Sequence, residues 1–189
     1  MRNENPIESA SREPPTLRTD WLIVRPWQIE DAPILQQLAG AWEIADTTLN
    51  IPYPYEDGES EKWIGGLREK FQQGKEAALA ITLADNGIIV GCIGLTIDQR
   101  HQRGEIGYWI GHQWWGKGYC AQAARMMLGF GSEQLGLHRI VGHHLTRNPA
   151  SGRVMQKIGM KHEGTLRQHA KKWDKFEDIE CYGILVNDS

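Results

Sequence analysis

The chain has 189 residues, 40% of them hydrophobic and 24% charged, a composition that suits one globular domain with a sizeable core and argues against a disordered or fibrous chain. With 21 Lys and Arg against 24 Asp and Glu, the net charge of -3 argues against a polycation that coats nucleic acid. The three cysteines, at 92, 120 and 181, lack the short spacings of a disulfide framework or zinc ribbon, and no apolar run approaches the ~18 residues of a membrane span. A reducing cytoplasm is the expected compartment.

Residues 1–15, polar and containing proline, read as a loose tail, which leaves 16–189 as a single domain. Trp21 to Pro26 (WLIVRP) is a short strand, and IEDAPILQQLAGAW a helix with Asp31 near its start and Pro33 in its first turn. Two Pro and two Tyr between Thr47 and Gly58 predict a structured loop, followed by a helix from Glu59 to Gln73 that Gly74 closes. Ala77 to Ala84 and Ile88 to Asp98 flank Asp85-Asn86-Gly87, a hairpin signal because Asn-Gly accepts positive φ. A third strand runs from Glu105 to Ile110. The spacing of Ala, Met and Leu predicts a helix over Tyr119 to Leu135, then a strand from Arg139 to Leu145 and a helix from Ala150 to Ile158 stopped by Gly159. Two last strands lie around Met160 to Gly164 and Glu177 to Val186. Strands in runs with helices between some of them predict an α+β fold on a mixed sheet.

The most informative stretch is Gly111 to Gly118, GHQWWGKG, between a strand and a helix. Gly116 and Gly118 can turn successive N–H groups inward, and the helix beginning near Tyr119 adds its positive end, a setting that suits phosphate oxygens. Gly118 stands where a Walker A loop carries the hydroxyl that ligates magnesium, so a metal-bound triphosphate is disfavoured. Two Trp inside the loop also depart from a tight nucleotide cradle, and an ordinary Gly-rich turn is the bland alternative. His143 and His144, adjacent on one strand, point to opposite faces and predict no metal site.

Gln113-Trp-Trp-Gly116-Lys-Gly118 resembles the QxxGxG signature of the GCN5-related N-acetyltransferases (GNAT). EIGYWIG before the loop, GLHRI after the helix, the run from Asn148 to Met160 (NPASGRVMQKIGM) and EGTLRQHAKKWDKFEDIECYGIL resemble the ribosomal-protein N-terminal acetyltransferases, and together they cover about residues 17 to 186. The resemblance implies a mostly antiparallel twisted sheet, splayed between its fourth and fifth strands and flanked by helices. It also implies acetyl-coenzyme A as acetyl donor and direct attack by an amine. The donor's pyrophosphate would lie on the amides of Gln113, Gly116, Lys117, Gly118 and Tyr119, and Trp109 and Ile110 would offer the N–H for the oxyanion. Asn148 would bond the pantetheine amides, and Lys157 would reach the adenosine phosphates or merely cover the helix surface.

Many members of the family protonate the leaving thiolate with a Tyr seven positions after the Asn, but here that position is Met155. The resemblance to the ribosomal subfamily gives the role to Ser151, whose other reading is a helix cap beside Asn148. Glu105 is the candidate general base, against a solvated carboxylate at a loop end, with Asp98 and His101 as weaker candidates. Cys120 is read as a small packing residue. Tyr53 and Tyr55 sit where the family covers its acceptor groove and are candidates to line it.

An α-amine is roughly 400-fold richer in its neutral form at pH 7 than a lysine side chain, so an enzyme with an uncertain base suits the N-terminal amine of a protein. An aminoglycoside or polyamine acceptor is the alternative. A non-catalytic acyl-coenzyme A sensor or RNA module ranks lower, because the basic stripe 138–176 is interleaved only with Trp173 and Phe176. No direct nucleic acid or membrane partner is expected, and a homodimer is compatible with the resemblance. Charge is divided along the chain: residues 1–98 carry 8 basic and 16 acidic groups, and 99–176 carry 13 and 4. The acidic part would build the acceptor side and favour a cationic acceptor, and the basic part would hold the polyanionic donor.

Overall fold

The computed structural model describes residues 13–186, so most of the expected tail, residues 1–12, lies outside the described residues. An eight-stranded sheet carries the fold: β1 (Leu17–Arg18), β2 (Leu22–Pro26), β3 (Glu76–Leu83), β4 (Ile89–Asp98), β5 (Arg103–Ile110), β6 (Arg139–Leu145), β7 (Lys161–Lys172) and β8 (Lys175–Leu185). The spatial order is β1-β2-β3-β4-β5-β6-β8-β7, antiparallel throughout except for the parallel pair β5 and β6. That pair is joined by helix α4 (Tyr119–Gly129), since a parallel connection must cross back over the sheet.

The parallel ladder is short. It runs from Arg103↔Arg139 to Ile106↔Gly142 and stops, although β5 continues to Ile110 and β6 to Leu145. The splay therefore opens between the fifth and sixth strands in this count, because the two-residue β1 adds a strand at the head of the chain.

Period-two alternation sends each strand's residues to two cores. Ile106 and Ile110 join Leu79, Ile81, Ile93 and Leu95 in the first, beneath α4 and α5 (Pro149–Lys157). In the second, Ala78, Ala80 and Cys92 meet Leu35 and Leu38 of α1 (Ala32–Ala39) and Ile64 and Leu67 of α3 (Glu59–Gln72). The expected helix 29–42 is divided. Ile29–Asp31 is a 3-10 turn, α1 ends at Gly40, and a separate α2 spans Trp42–Thr47. A Cβ on Gly40 would stand 2.7 Å from the Gln36 carbonyl, so this residue lets the chain break there.

The helix expected to reach Leu135 is α only to Gly129 and finishes as a π turn over Phe130–Gln134. The wider turn seats Gly131 against Ile140, Leu95 and Leu137. The last hairpin is longer than its sequence signals, because bulges between His162 and Gly164 and between Leu166 and Ala170 interrupt the alternation of β7.

Candidate active site

Loop 111–118 has the geometry of an anion cradle. Gly116 (φ 77°) and Gly118 (φ 81°) both take left-handed angles, and Gly118 caps α4. No atom lies within 4 Å of a Cβ built on either, so the loop borders open space at both glycines. The two Trp that strain a nucleotide-cradle reading stay out of that space. Trp114 packs between the two cores, and the indole Nε1 of Trp115 donates to the Ile110 carbonyl at 2.5 Å. Gln113 and Lys117 are exposed beside the cradle, and Tyr119 is partly buried against the first core. This arrangement of amides, glycines and a helix N-terminus fits a pyrophosphate.

Strand polarity sorts the oxyanion candidates. Gly111 N–H donates to the Val90 carbonyl at 2.9 Å, and N–H directions along a strand alternate, so Trp109 N–H also turns to β4, toward its register partner Cys92. The N–H groups of Tyr108 and Ile110 turn the other way, into the gap left where β6 diverges after Gly142.

Two polar constellations flank this gap, one on each face of β5. On the first-core face, Ser151 Oγ donates to Tyr108 Oη at 3.0 Å, and Tyr108 Oη donates to the Ser151 carbonyl at 3.0 Å. Burial, with a smaller contribution from neighbouring Cys120, pushes the Tyr108 phenol well above its usual value, so it remains a proton donor. Asn148 caps α5: its Oδ1 accepts from Ser151 N–H at 3.4 Å, and its Nδ2 donates to the Thr47 carbonyl at 3.3 Å, which ties α5 to the end of α2. Of the two cap readings only that of Asn148 holds, because the Ser151 hydroxyl turns to Tyr108 and Ser151 joins the cap through its backbone N–H alone. α5 lies close to β6 because position 152 is glycine; a Cβ there would stand 2.6 Å from His144 Nε2.

Met155, seven positions after Asn148, is buried in the first core. The phenol beside Ser151 comes instead from β5, and sequence reasoning missed it because Tyr108 is distant in the chain. Its signal was the alternation that put Tyr108 on the same side as Ile106 and Ile110.

On the opposite face, Glu105 Oε1 accepts from His143 Nδ1 at 3.2 Å. The bond from His143 holds the Glu105 carboxyl below the usual range despite an opposing contribution from burial. Gly107, between Glu105 and Trp109 on this face, is exposed, and nothing lies within 4 Å of a Cβ built on it. Asp98 and His101 serve the turn at the far end of β5: Asp98 Oδ1 accepts the His101 N–H at 3.2 Å, and its other oxygen meets Arg103. Lys157 ends α5, where its carbonyl accepts Arg125 Nη2 at 2.8 Å. Burial raises the Cys120 thiol to about 12, as a packing residue requires.

Tyr53 and Tyr55 border an open depression of about 640 Å³ with Gln36, Gln37, Gly40, Ala41 and Pro54. Tyr53 also meets Trp42 edge-on at 5.0 Å between ring centroids, and Trp42 stacks on Trp173 from the tip of the β7–β8 hairpin at 5.4 Å. The same hairpin is held by Lys172, which is buried and donates to the carbonyls of Leu49 and Ile51. Arg147 pairs with both Asp46 and Glu177, so part of the basic stripe is spent on internal ties.

Residues 22–161 match the acetyltransferase (GNAT) domain family. The chain is a GNAT acetyltransferase. It uses acetyl-coenzyme A as donor and an amine as acceptor. An uncharacterized N-acetyltransferase YoaA of Bacillus subtilis is 30% identical over 176 residues, 90% of this chain and 97% of the relative. Among solved structures, RimL, a ribosomal L7/L12 α-N-protein acetyltransferase in complex with coenzyme A, superposes with a TM-score of 0.84 at 19% identity, over 93% of this chain and all of that one. A spermidine N-acetyltransferase SpeG chimera from Vibrio cholerae and hSSAT gives 0.74 at 20%, over 87% and 95%. Among the described residues, no helix is long and apolar enough to cross a membrane.

Proposed function

We propose that the acceptor is the N-terminal α-amine of a protein. The observation that carries this reading is the form of the acceptor side. It is an open depression bordered by Tyr53 and Tyr55, with exposed Trp42 and Trp173 packed against Tyr53 beside it, and it suits an extended peptide better than a small molecule that must be surrounded. The likeness to RimL supports the same choice. So does amine acidity, because a carboxylate held low by His143 is a weak base and an α-amine needs the least help.

Amides of Gln113 to Tyr119 hold the donor's pyrophosphate, with Lys117 adding charge, and Asn148 and Lys157 line the rest of its path. The bound donor supplies an activated acetyl thioester. Ile110 N–H, with Tyr108 N–H beside it, faces the point where negative charge builds on the acetyl oxygen, and Trp109 shapes the acceptor side with its ring. Ser151, backed by the buried Tyr108 phenol, supplies the proton that the departing sulfur takes up. Glu105 belongs to the group that removes the amine's proton.

A polyamine is the second reading, favoured by Glu56, Asp57, Glu59 and Glu61 at the rim, where Asp57 accepts from Gln36 Nε2 at 2.7 Å beside the depression. Thiol release measured across peptides beginning with Ala or Ser, spermidine and kanamycin separates the two. A kcat/KM for spermidine above that of every peptide sinks the peptide reading.

A further inference from the structure

We infer that His143, and not Glu105, is the general base, and that Glu105 is a positioning residue behind it. The inference rests on the amine-acceptor reading above and deepens it.

An ionised carboxylate only accepts, so the 3.2 Å contact between Glu105 Oε1 and His143 Nδ1 requires the proton on Nδ1. That leaves Nε2 as the nitrogen with an open lone pair in the neutral ring. The imidazole is about one-third exposed, so Nε2 is accessible and can return its proton to solvent. Glu105 is a poor base for the same reason that it is a good orienter: the bond it accepts from His143 stabilises its charged form.

Register places this imidazole at the reaction gap. Gly142 is the last residue of β6 paired with β5, and His143 is the next, so it stands opposite Gly107 across the first unpaired step. Gly107 directly precedes Tyr108, whose N–H faces the gap. Adjacent strands lie about 4.8 Å apart, so the His143 backbone is within about two residue steps of the amides that face the acetyl oxygen. The space a Cβ on Gly107 would fill is open and lies on the imidazole's own face, between Glu105 and Trp109. An amine entering there meets His143 from one side and the thioester from the other.

The step balances without any further reactant. The ammonium of the acceptor gives one proton to His143 Nε2, and the freed nitrogen lone pair forms the N–C bond to the acetyl carbon. The C–S bond breaks, its electron pair stays on sulfur, and Ser151 Oγ–H supplies a proton to that thiolate. The nitrogen loses its second proton, which returns to Ser151, and the imidazolium releases the first to solvent. One proton appears in solution for each amide formed.

The charged and titratable groups around the ring come from four strands. They are Glu105 and Arg103 on β5, Arg139 of β6 paired with Glu163 of β7, and Cys181 of β8, the register partner of His143. Glu105 alone among them bonds the ring, and its removal should loosen the tautomer that leaves Nε2 open.

The test uses the full chain and three variants. His143→Asn keeps a donor where Nδ1 stands and so keeps the Glu105 bond, but has no base nitrogen. It should lower kcat/KM for the best amine of the panel by about 100-fold or more, leave KM for acetyl-coenzyme A unchanged, and abolish the acidic limb of the pH profile. Added imidazole should restore part of the rate to His143→Gly. Glu105→Gln should cost less rate and raise the share of the Nε2–H tautomer of His143 in nitrogen NMR, which a merely structural role would not do. Nitrogen NMR of the wild type should show the Nδ1–H tautomer of His143, whether or not the acceptor is known.

Retention of activity within about threefold in His143→Asn, with its pH limb intact, overturns the assignment. So does an Nε2–H tautomer in the wild type. Failure of every peptide while spermidine reacts counts against the peptide acceptor instead, and the same variants then decide the base with spermidine.

Discussion

Tyr108→Phe removes a single oxygen at the junction of β5 and α5. In the wild type that oxygen accepts from Ser151 Oγ and donates to the Ser151 carbonyl, both at 3.0 Å. Two neutral hydrogen bonds of about 0.5–1.5 kcal/mol each put the stability cost at about 1–3 kcal/mol, or a fall in Tm of about 2–12 °C in a chain of this size. The catalytic cost has a different signature. A departing thiol of ordinary pKa, about 8.5, needs a proton at pH 7 and none above pH 9. The variant should therefore lose about 10- to 100-fold in kcat at pH 7, with the deficit shrinking as pH rises toward 9. Ser151→Ala should behave alike, and the double variant should be about as slow as the worse single one, because the two oxygens act as a unit. Thiol release under saturating donor reads all three. A pH-independent deficit, or losses that add fully in the double variant, would refute a shared proton path.

Gly107→Val should leave the fold and acetyl-coenzyme A affinity intact and raise the acceptor KM about tenfold, since its side chain enters open space on the acceptor face; an unchanged KM removes that role from the gap. Gly118→Ala forces an L-residue to φ 81° at the head of α4, which should cost about 1–2 kcal/mol and weaken acetyl-coenzyme A binding in calorimetry. Neutralising Glu56, Asp57, Glu59 and Glu61 together should raise the KM of a cationic acceptor and reduce its salt dependence, and a flat salt profile in the wild type would dismiss the acidic rim. Asp31 is held below the usual carboxylate range because the Arg25 pair and the Gln28 N–H outweigh burial, so its stabilisation is full above about pH 3.9 and lost as pH falls through its lowered value. In urea titrations the gap between wild type and Asp31→Asn should be constant at neutral pH and close in acid; a gap that persists at pH 2 would show another cause.

The alternation of β5 and the glycines of 111–118 were readable from the sequence because both are local: period two and positive φ are set by neighbours in the chain. The same locality explains why Asn148 and Ser151 were recognised together as a cap and as candidate site residues. What could not be read locally are the partners that arrive across strands. Tyr108 and Ser151 lie 43 residues apart, and Glu105 and His143 lie 38 apart. Adjacent His143 and His144 fall on opposite faces by strand alternation alone, yet only the register of β5 with β6 reveals that one of them meets a carboxylate. The break of the first helix at Gly40 and the bulges of β7 were hidden for a related reason, since close backbone approach and unpaired residues leave little trace in hydrophobic periodicity. Trp173 at φ 55° in the hairpin tip is another such case, a bulky residue where turn chemistry favours Asn or Gly, offset by stacking on Trp42.

The ties from Arg147 to Asp46 and from Asn148 to Thr47 each span 101 residues of chain. During synthesis, β1 to β5 emerge as neighbours able to pair at once, while the outer edge of β5 waits for β6, and the tie between α2 and the last hairpin waits longer still for β8 to bring Glu177 to Arg147. A nascent chain halted before residue 139 thus carries an exposed parallel edge, with its backbone donors and acceptors free for a neighbouring copy. Enzymatic competence and protection from edge-to-edge aggregation are acquired in the same late event, so ribosome-bound chains truncated at that point should be insoluble on release, whereas chains extended through residue 186 should not.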